Sequence, residues 1–402
     1  MDHIAIIGAG QAGATLVETL RKRGHDGRLT LWGAEDAVPY QRPPLSKAYL
    51  LGELERERLH LRPRSFYDEL GVELRLGTPV TALDPAARTL THAGGTERFD
   101  AAVLATGSTP NALPPRCTGG LPGTHVIRAL SDIDALRPQM AAGRRMLVVG
   151  GGYIGLEAAA VARRMGLEVV LVELNVRVLN RVACQATADW FRALHRDHGV
   201  DIREGVGLEV LTGDGRIEGA RLTDGSTLEV DIVVAGIGAH AETALAQAAG
   251  LACDGGIVVD ALGRTSAPGV WAAGDCAAFP VGERRVRLES VPNAIDMAQV
   301  VAGNLLGDAQ AYVPRPWFWS DQYDVKLQIA GLNAGYDEIV VREGSDIPGG
   351  RSHWYFAGRR LLAVDAMNDP RAYMVGKRLI EAGRSPDRAA VADAARPVKS
   401  LM

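Results

Sequence analysis

A glycine-rich turn between an apolar strand and a helix occurs twice in this chain, and no other feature limits its fold so tightly. In the first copy His3-Ile4-Ala5-Ile6-Ile7 runs into Gly8-Ala9-Gly10-Gln11-Ala12-Gly13, and Leu16 and Leu20 follow at helical spacing. A second apolar stretch, Leu29-Thr30-Leu31-Trp32, comes next, with Glu35 just beyond it. In the second copy Met146-Leu147-Val148-Val149 runs into Gly150-Gly151-Gly152-Tyr153-Ile154-Gly155, then a helical pattern to Met165, then Val169-Val170-Leu171-Val172 ending at Glu173. Each copy is completed by an Asp-led strand that ends in glycine, from Asp100 through Ala105 and Thr106 to Gly107, and from Asp231 to Gly238. The turns are 142 positions apart and the closing glycines 131, so the spacing is nearly kept. Continuous β-branched strands alternating with helices predict parallel sheets covered on both faces. The expected fold class is therefore α/β, with two Rossmann-like dinucleotide-binding domains.

The last stretch reads differently. From Pro316 to Met402 the chain carries 9 of its 21 aromatic residues in 87 positions, more than its share. Alternating segments such as Ser352-His353-Trp354-Tyr355-Phe356 and Leu361-Leu362-Ala363-Val364 predict antiparallel strands, with a helix near 374–382. The domains expected are 1–111 with 240–315, 112–239, and a C-terminal α+β domain over 316–402.

The spacing of the glycines has a physical meaning. The first turns the chain tightly, the second lets backbone approach a pyrophosphate, and the third lets the helix pack close to the strand. The helix N-terminus then offers free N–H groups and positive potential to phosphate. One such match is weak; two, each with a strand before, a helix after and an acid at the end of the next strand, point to two nucleotides and an electron pathway between them. Glu173 lies 23 positions after Gly150, where a carboxylate accepts hydrogen bonds from ribose hydroxyls and repels a 2′-phosphate, so the second site should prefer NADH. Arg177 and Arg181 nearby work against that preference. Near the end of the first nucleotide domain, Gly269-Val270-Trp271-Ala272-Ala273-Gly274-Asp275 places an aspartate at a strand end, where it can hold a polyol chain or cap a helix.

Charge and cysteine usage exclude other classes. Lys and Arg total 44 against 48 Asp and Glu, a formal charge of −4, which gives no sign of a nucleic-acid binder. Cys117, Cys184, Cys253 and Cys276 lie far apart, with no CxxC or CxxxxC spacing, so neither a zinc ribbon nor a paired redox dithiol is expected. The first strand starts almost at once, leaving no room for a signal peptide, and no apolar run is long enough for a bilayer. A bacterial cytoplasmic protein is expected. His195 and His198 have HxxH spacing without a third ligand and are expected at an exposed helix end, not on a metal.

Five stretches carry a family resemblance: Tyr40-Gln41-Arg42-Pro43-Pro44-Leu45-Ser46-Lys47, the run from Gly150 to Glu157, the run from Gly269 to Cys276, Glu289-Ser290-Val291-Pro292-Asn293-Ala294, and Pro316-Trp317-Phe318-Trp319-Ser320-Asp321-Gln322-Tyr323. Together and in this order the chain resembles the FAD-dependent pyridine-nucleotide oxidoreductases of glutathione-reductase-like fold. More narrowly it resembles the NADH-dependent ferredoxin reductases of the putidaredoxin reductase type, which serve bacterial cytochromes P450 and ring-hydroxylating dioxygenases. The resemblance implies that Gly8, Gly10, Ala12 and Gly13 cradle the FAD pyrophosphate, that Ala34 and Glu35 lie by its ribose, and that Arg42, Val80, Ala105, Thr106, Gly107 and Arg128 line its site. Pro44 and Lys47 would lie by the flavin ring, Gly274 and Asp275 by the ribitol, Val291 by the pyrimidine and Trp319 by the ring edge. NADH would be held by Gly150, Gly152, Tyr153, Ile154, Gly155, Glu173 and Gly238, with Glu157 the active-site acid that pairs with Lys47. Two departures stand out: Ala34 where many relatives carry the acid, and His240-Ala241-Glu242 where they carry Pro-Asn.

With no cysteine pair to receive two electrons together, the family route that remains is single-electron transfer to a [2Fe–2S] ferredoxin feeding a P450 or a dioxygenase. The resemblance implies docking at Arg62, Arg287, Trp319 and Lys377, basic residues that would steer an acidic partner. Neither a nucleic acid nor a membrane is expected as a partner. Two other readings stay open on the sequence: an NADH oxidase or quinone reductase, and a flavoprotein with a binding role resembling apoptosis-inducing factor.

Overall fold

The computed structural model describes residues 1–344 and 349–402. The chain forms two compact units: one from 1–42, 55–109 and 239–315, the other from 43–54, 110–238 and 316–402.

In the first unit the strands Val270–Ala272, Ala101–Leu104, His3–Ile7, Arg28–Trp32 and Val72–Arg75 lie side by side in that order, all parallel. Ile4, Ile6, Leu29, Leu31, Val103 and Leu104 are fully buried. A side chain of this size is worth roughly 1.5–3 kcal/mol when taken wholly out of water, which explains why these strands are apolar on both faces. The helix Gln11–Lys22 follows the first strand and packs against the helix Val291–Leu305.

The second unit repeats the plan. Val200–Glu204, Glu168–Glu173, Arg145–Val149, Ile232–Ala235 and Thr124–His125 form another wholly parallel sheet, with the helix Tyr153–Arg164 after its central strand. In both sheets the central strand leads into the glycine turn, between the second strand on one side and the later Asp-led strand on the other. That is where the strand order reverses, the position at which open α/β sheets bind ligands.

The second unit also contains an antiparallel five-stranded sheet, ordered Trp317–Gln322, Val325–Gly331, Arg360–Met367, Arg351–Ala357, Glu338–Glu343. Its side-chain alternation separates two faces. Trp317 and Trp319 stack on each other, and Trp317 meets Tyr373 of the helix Pro370–Glu381. Phe318, Ser320 and Gln322 point the other way, toward the helices Tyr153–Arg164 and Gln185–Asp197. Among the described residues no helix is long and apolar enough to cross a membrane.

Candidate active site

The two glycine turns are built alike to the atom. A Cβ at Gly8, where φ is +123°, would lie 2.1 Å from the Ala105 carbonyl oxygen, and one at Gly13 would lie 2.0 Å from the Gly8 oxygen. At Gly150, where φ is +107°, the clash would be with the Gly236 oxygen at 2.4 Å, and at Gly155 with the Gly150 oxygen at 2.0 Å. The middle glycines differ: a Cβ at Gly10 would meet nothing within 4 Å, and one at Gly152 only the Gly236 oxygen at 4.0 Å. The outer glycines are therefore required by backbone packing, and the middle ones border open space. Both helices start from these middle glycines without a side-chain cap or a first-turn acid. The helices starting at Val291, Pro370 and Arg388 are instead capped by Ser290, Asp369 and Asp387. Uncapped amides beside an open glycine fit a dinucleotide pyrophosphate in each unit.

The acids after the second strands already have partners. Glu173, nearly buried, accepts from the Gly151 N–H at 2.7 Å through one oxygen, and from the Asn175 backbone and side-chain amides at 2.7 and 2.6 Å through the other. It thereby ties the glycine turn to the strand end, and Oε2, which accepts only once, keeps capacity for a ribose hydroxyl. Arg177 donates to the Ala183 carbonyl at 2.9 Å, and Arg181 lies by Gly238. In the first unit Glu35 accepts from Tyr40 Oη at 2.6 Å and from Arg42 at 2.7 Å; Gly33, two residues earlier, approaches Ala9 of the glycine turn. Ala34 adds no polar group; Glu35 and Asp36 are the carboxylates at this strand end.

Gly274 lies against Ala12 at the start of the first glycine helix, which brings the half-buried Asp275 to that turn. Ala105 is buried, Thr106 donates to the Glu242 carbonyl at 2.6 Å, and Gly107 takes φ +77°. Thr109 donates to the Glu242 carboxylate at 2.7 Å, and the Glu242 N–H reaches the Gly107 carbonyl. The unusual His240-Ala241-Glu242 segment is thus a strap: Glu242 ties the returning chain to the strand that ends at Gly107. Val80 packs against the first unit's core and Val291 opens a helix just after the Ser290 cap. Arg128 belongs to the second unit, its N–H held by Asp132.

Lys47 and Glu157 come together although 110 positions separate them. Pro43, Pro44, Leu45 and Ser46 form a short 3-10 turn beside the second glycine helix, and Lys47 Nζ lies 2.6 Å from Glu157 Oε2. Glu157 sits on the second turn of that helix, two residues after Gly155, and is 2% exposed. Burying a lone carboxylate costs several kcal/mol, so its partners decide whether the site is stable. The Ser46 hydroxyl donates to Oε2 beside Lys47, and the Ser320 hydroxyl donates to Oε1 at 2.6 Å. Sequence reasoning missed both serines. Ser46 adjoins Lys47 in the motif, and Ser320 alternates with Phe318 on the strand face that meets this helix.

Tyr153, at the head of the same helix, packs on Phe318 with ring centres 4.9 Å apart. Its hydroxyl is buried with no hydrogen-bond partner among the described residues, and burial pushes its pKa well above the ordinary value. Ile154 beside it is 41% exposed, an apolar surface next to the open glycine. Gly238 takes φ +92° and accepts from the Asn111 N–H.

The candidate docking residues fall into two groups. Lys377, ion-paired with Glu381 at 2.9 Å, lies one turn beyond Tyr373, on the side of the C-terminal sheet that carries the half-buried Trp319. Arg62 and Arg287 belong to the first unit; Arg62 spreads over Phe66 near Glu18, and Arg287 bonds Glu289 and the Asp275 carbonyl.

One expectation is overturned. His195 is not at an exposed helix end; it is fully buried, with Nε2 2.8 Å from Gln322 Oε1 and Nδ1 3.2 Å from Tyr323 Oη. Its helix buries Thr187, Phe191 and His195 at a spacing of four, one stripe down the helix, and that spacing was visible in the sequence. Among the described residues no cluster of three or more possible metal ligands exists.

Two parallel sheets with paired nucleotide cradles, and an ion pair on the second cradle's helix, define an oxidoreductase that handles two dinucleotides. The chain belongs to the pyridine nucleotide-disulphide oxidoreductase family, which it matches over residues 2–298; residues 317–402 match the reductase C-terminal family. It is 42% identical to rhodocoxin reductase of Rhodococcus erythropolis, over 97% of this chain and 92% of that protein. It is 38% identical to putidaredoxin reductase CamA of Pseudomonas putida, over 100% and 97%. Among solved structures, the covalent putidaredoxin reductase–putidaredoxin complex superposes with a TM-score of 0.95 at 38% identity, over 100% of this chain and 98% of that one.

Proposed function

We infer that this chain is an FAD-dependent NADH:ferredoxin oxidoreductase that delivers electrons to a [2Fe–2S] ferredoxin serving a cytochrome P450 or a dioxygenase. Residues 1–111 and 240–315 bind FAD, 112–239 bind NADH, and 316–402 contribute to the ferredoxin face. Bound FAD supplies what no side chain here supplies, taking a hydride at N5 and giving up its electrons singly.

The protein's part is positioning. Uncapped amides at Gly10 and Gly152 hold the two pyrophosphates. Glu173 accepts from the NADH ribose while keeping the turn at Gly151 in shape. Glu157 orients the nicotinamide carboxamide, and the Lys47 ammonium supplies positive charge for the electron-rich reduced ring. Trp319 and Lys377 meet the ferredoxin, with Arg62 and Arg287 steering it. All four cysteines are free, and free thiols with NADH as donor fit the bacterial cytoplasm.

The ion pair between Lys47 and Glu157 carries this reading, because it sets a lysine against a buried carboxylate on the helix that holds NADH. Anaerobic stopped-flow reduction of the flavin by NADH tests it. Lys47→Ala and Glu157→Gln should each slow the limiting rate; native rates in both would remove the pair from the reaction. Ferricyanide, quinone, oxygen and ferredoxins offered as acceptors should rank a ferredoxin first.

A further inference from the structure

Glu157 is not only paired with Lys47; it is the end of a line of buried hydrogen bonds that starts at a turn. Ser320 Oγ lies 2.6 Å from Glu157 Oε1, and Gln322 Nε2 lies 3.1 Å from Ser320 Oγ. Gln322 Oε1 lies 2.8 Å from His195 Nε2, and Tyr323 Oη lies 3.2 Å from His195 Nδ1. Ser320, Gln322 and His195 are all fully buried, so water cannot replace a misdirected bond.

The direction of every bond follows from chemistry. Burial lowers the His195 pKa to about 4, so the ring is neutral and carries one proton. The Gln322 amide oxygen can only accept, so Nε2 carries the proton, and the bare Nδ1 accepts from the Tyr323 phenol. Nε2–H donates to the Gln322 carbonyl oxygen, and this turns the amide NH2 toward Ser320. Ser320, accepting from the amide, sends its own proton to the carboxylate. If the imidazole took its other tautomer, two lone pairs would face each other between Nε2 and Gln322, and each group down to Ser320 would have to reverse.

Tyr323 shows independently that this line is built. It sits in the two-residue loop closed by the Gln322–Val325 pair, with φ +56°. A bulky aromatic residue rarely adopts that conformation, which such turns normally give to Gly, Asn or Asp. The side chain is fixed by stacking on His198, with ring centres 3.7 Å apart and planes 14° from parallel, and by edge contact with His195. Backbone strain held by surrounding contacts is a mark of a functional position.

We propose that Tyr323, His195 and Gln322 are positioning residues that set the Ser320 hydroxyl as a permanent donor to Glu157, and so hold the Lys47–Glu157 pair in the geometry used when NADH reduces the flavin. The proposal rests on the role given above to Glu157.

The test uses the FAD-loaded enzyme under anaerobic conditions. Ser320→Ala and Gln322→Leu should each slow the limiting rate of flavin reduction about fivefold, with half-saturation by NADH unchanged within about twofold. The double variant should be no slower than Ser320→Ala alone, because Gln322 acts through Ser320. His195→Gln keeps an amide donor where Nε2 stood and should stay within about twofold of the native rate. Tyr323→Phe removes one oxygen atom from a surface turn, so it and Ser320→Ala carry the test if Gln322→Leu fails to load FAD. In 15N-histidine spectra of the holoenzyme, His195 should show the Nε2–H tautomer, and Tyr323→Phe should admit the other form. Native reduction rates in Ser320→Ala and Tyr323→Phe, or an unchanged tautomer in the latter, would overturn the proposal. A native rate in Glu157→Gln would instead overturn the role of Glu157 itself, so the two failures are distinguishable.

Discussion

Lys47 Nζ and Glu157 Oε2 stand 2.6 Å apart, the lysine partly exposed and the glutamate almost wholly buried. Removing one partner of such a pair leaves an uncompensated buried charge, at a cost of about 3–5 kcal/mol. Lys47→Ala should therefore lower stability by that order and slow flavin reduction by tenfold or more. The double variant Lys47→Met with Glu157→Gln should recover stability but not the rate. Thermal denaturation beside stopped-flow kinetics separates the two effects.

The glycines of one turn should respond in opposite ways. Gly152→Ala meets open space, so the enzyme should fold and keep its FAD, but its KM for NADH should rise about tenfold as the pyrophosphate loses its close approach. Gly155→Ala would place a Cβ 2.0 Å from the Gly150 oxygen and should yield no soluble enzyme. Gly10→Ala should fold and lose FAD on dilution. Flavin content and steady-state kinetics check all three.

Glu173 holds the Gly151 N–H, and in the proposed reading it also meets the ribose. Glu173→Ala should lower kcat/KM for NADH by at least about tenfold and narrow the preference over NADPH, because the repulsion of a 2′-phosphate disappears. Parallel titrations with both coenzymes measure it.

Three deeply buried groups contribute strongly to the pH dependence of stability. His195 and His353 are held at about 4 by burial, below the ordinary 6.5. Between these values the unfolded chain binds more protons, so each histidine lowers stability as pH falls, by about 1.4 kcal/mol per pH unit at most. Asp365, raised by burial to about 6 from 3.8, acts in the opposite sense: the folded state binds its proton first, and its contribution fades as pH rises through that range. These two histidines, with His3, His25 and His125 also lowered by burial, outweigh the one raised acid and predict net acid destabilisation below pH 6.5. His195→Gln should flatten the slope and Asp365→Asn should steepen it, read from denaturant midpoints across pH.

The thiols should be silent. Cys117, Cys184 and Cys276 are buried, and burial raises the thiol pKa of the half-buried Cys253. N-ethylmaleimide on the folded holoenzyme should modify Cys253 alone and leave ferredoxin reduction unchanged, whereas a dithiol route would be abolished.

Much of this was legible in the sequence because it is local. Gly8, Gly13, Gly150 and Gly155 answer to backbone clashes within one strand–turn–helix unit, and Glu173 follows from strand length, so a short motif suffices. The meeting of Lys47 with Glu157 needed family resemblance, since nothing at position 47 announces a partner 110 residues away. Ser46, Ser320, Gln322 and His195 join that pair through the packing of a strand on two helices, and such partners are set by tertiary register. Asp197 and Gly199 beside the HxxH pair point to an exposed helix end, whereas His195 belongs to the buried stripe it shares with Thr187 and Phe191. The strap at Glu242 likewise becomes intelligible only when its carboxylate is seen on Thr109.

The most direct measurement is anaerobic single turnover of the FAD-loaded enzyme with one equivalent of NADH and an excess of [2Fe–2S] ferredoxin, putidaredoxin among those offered. The account requires the flavin bands to bleach first and two ferredoxins then to be reduced per NADH, at the same rate after thiol alkylation. A protein that binds no flavin, or one whose reduced flavin passes no electron to any such ferredoxin, would contradict it.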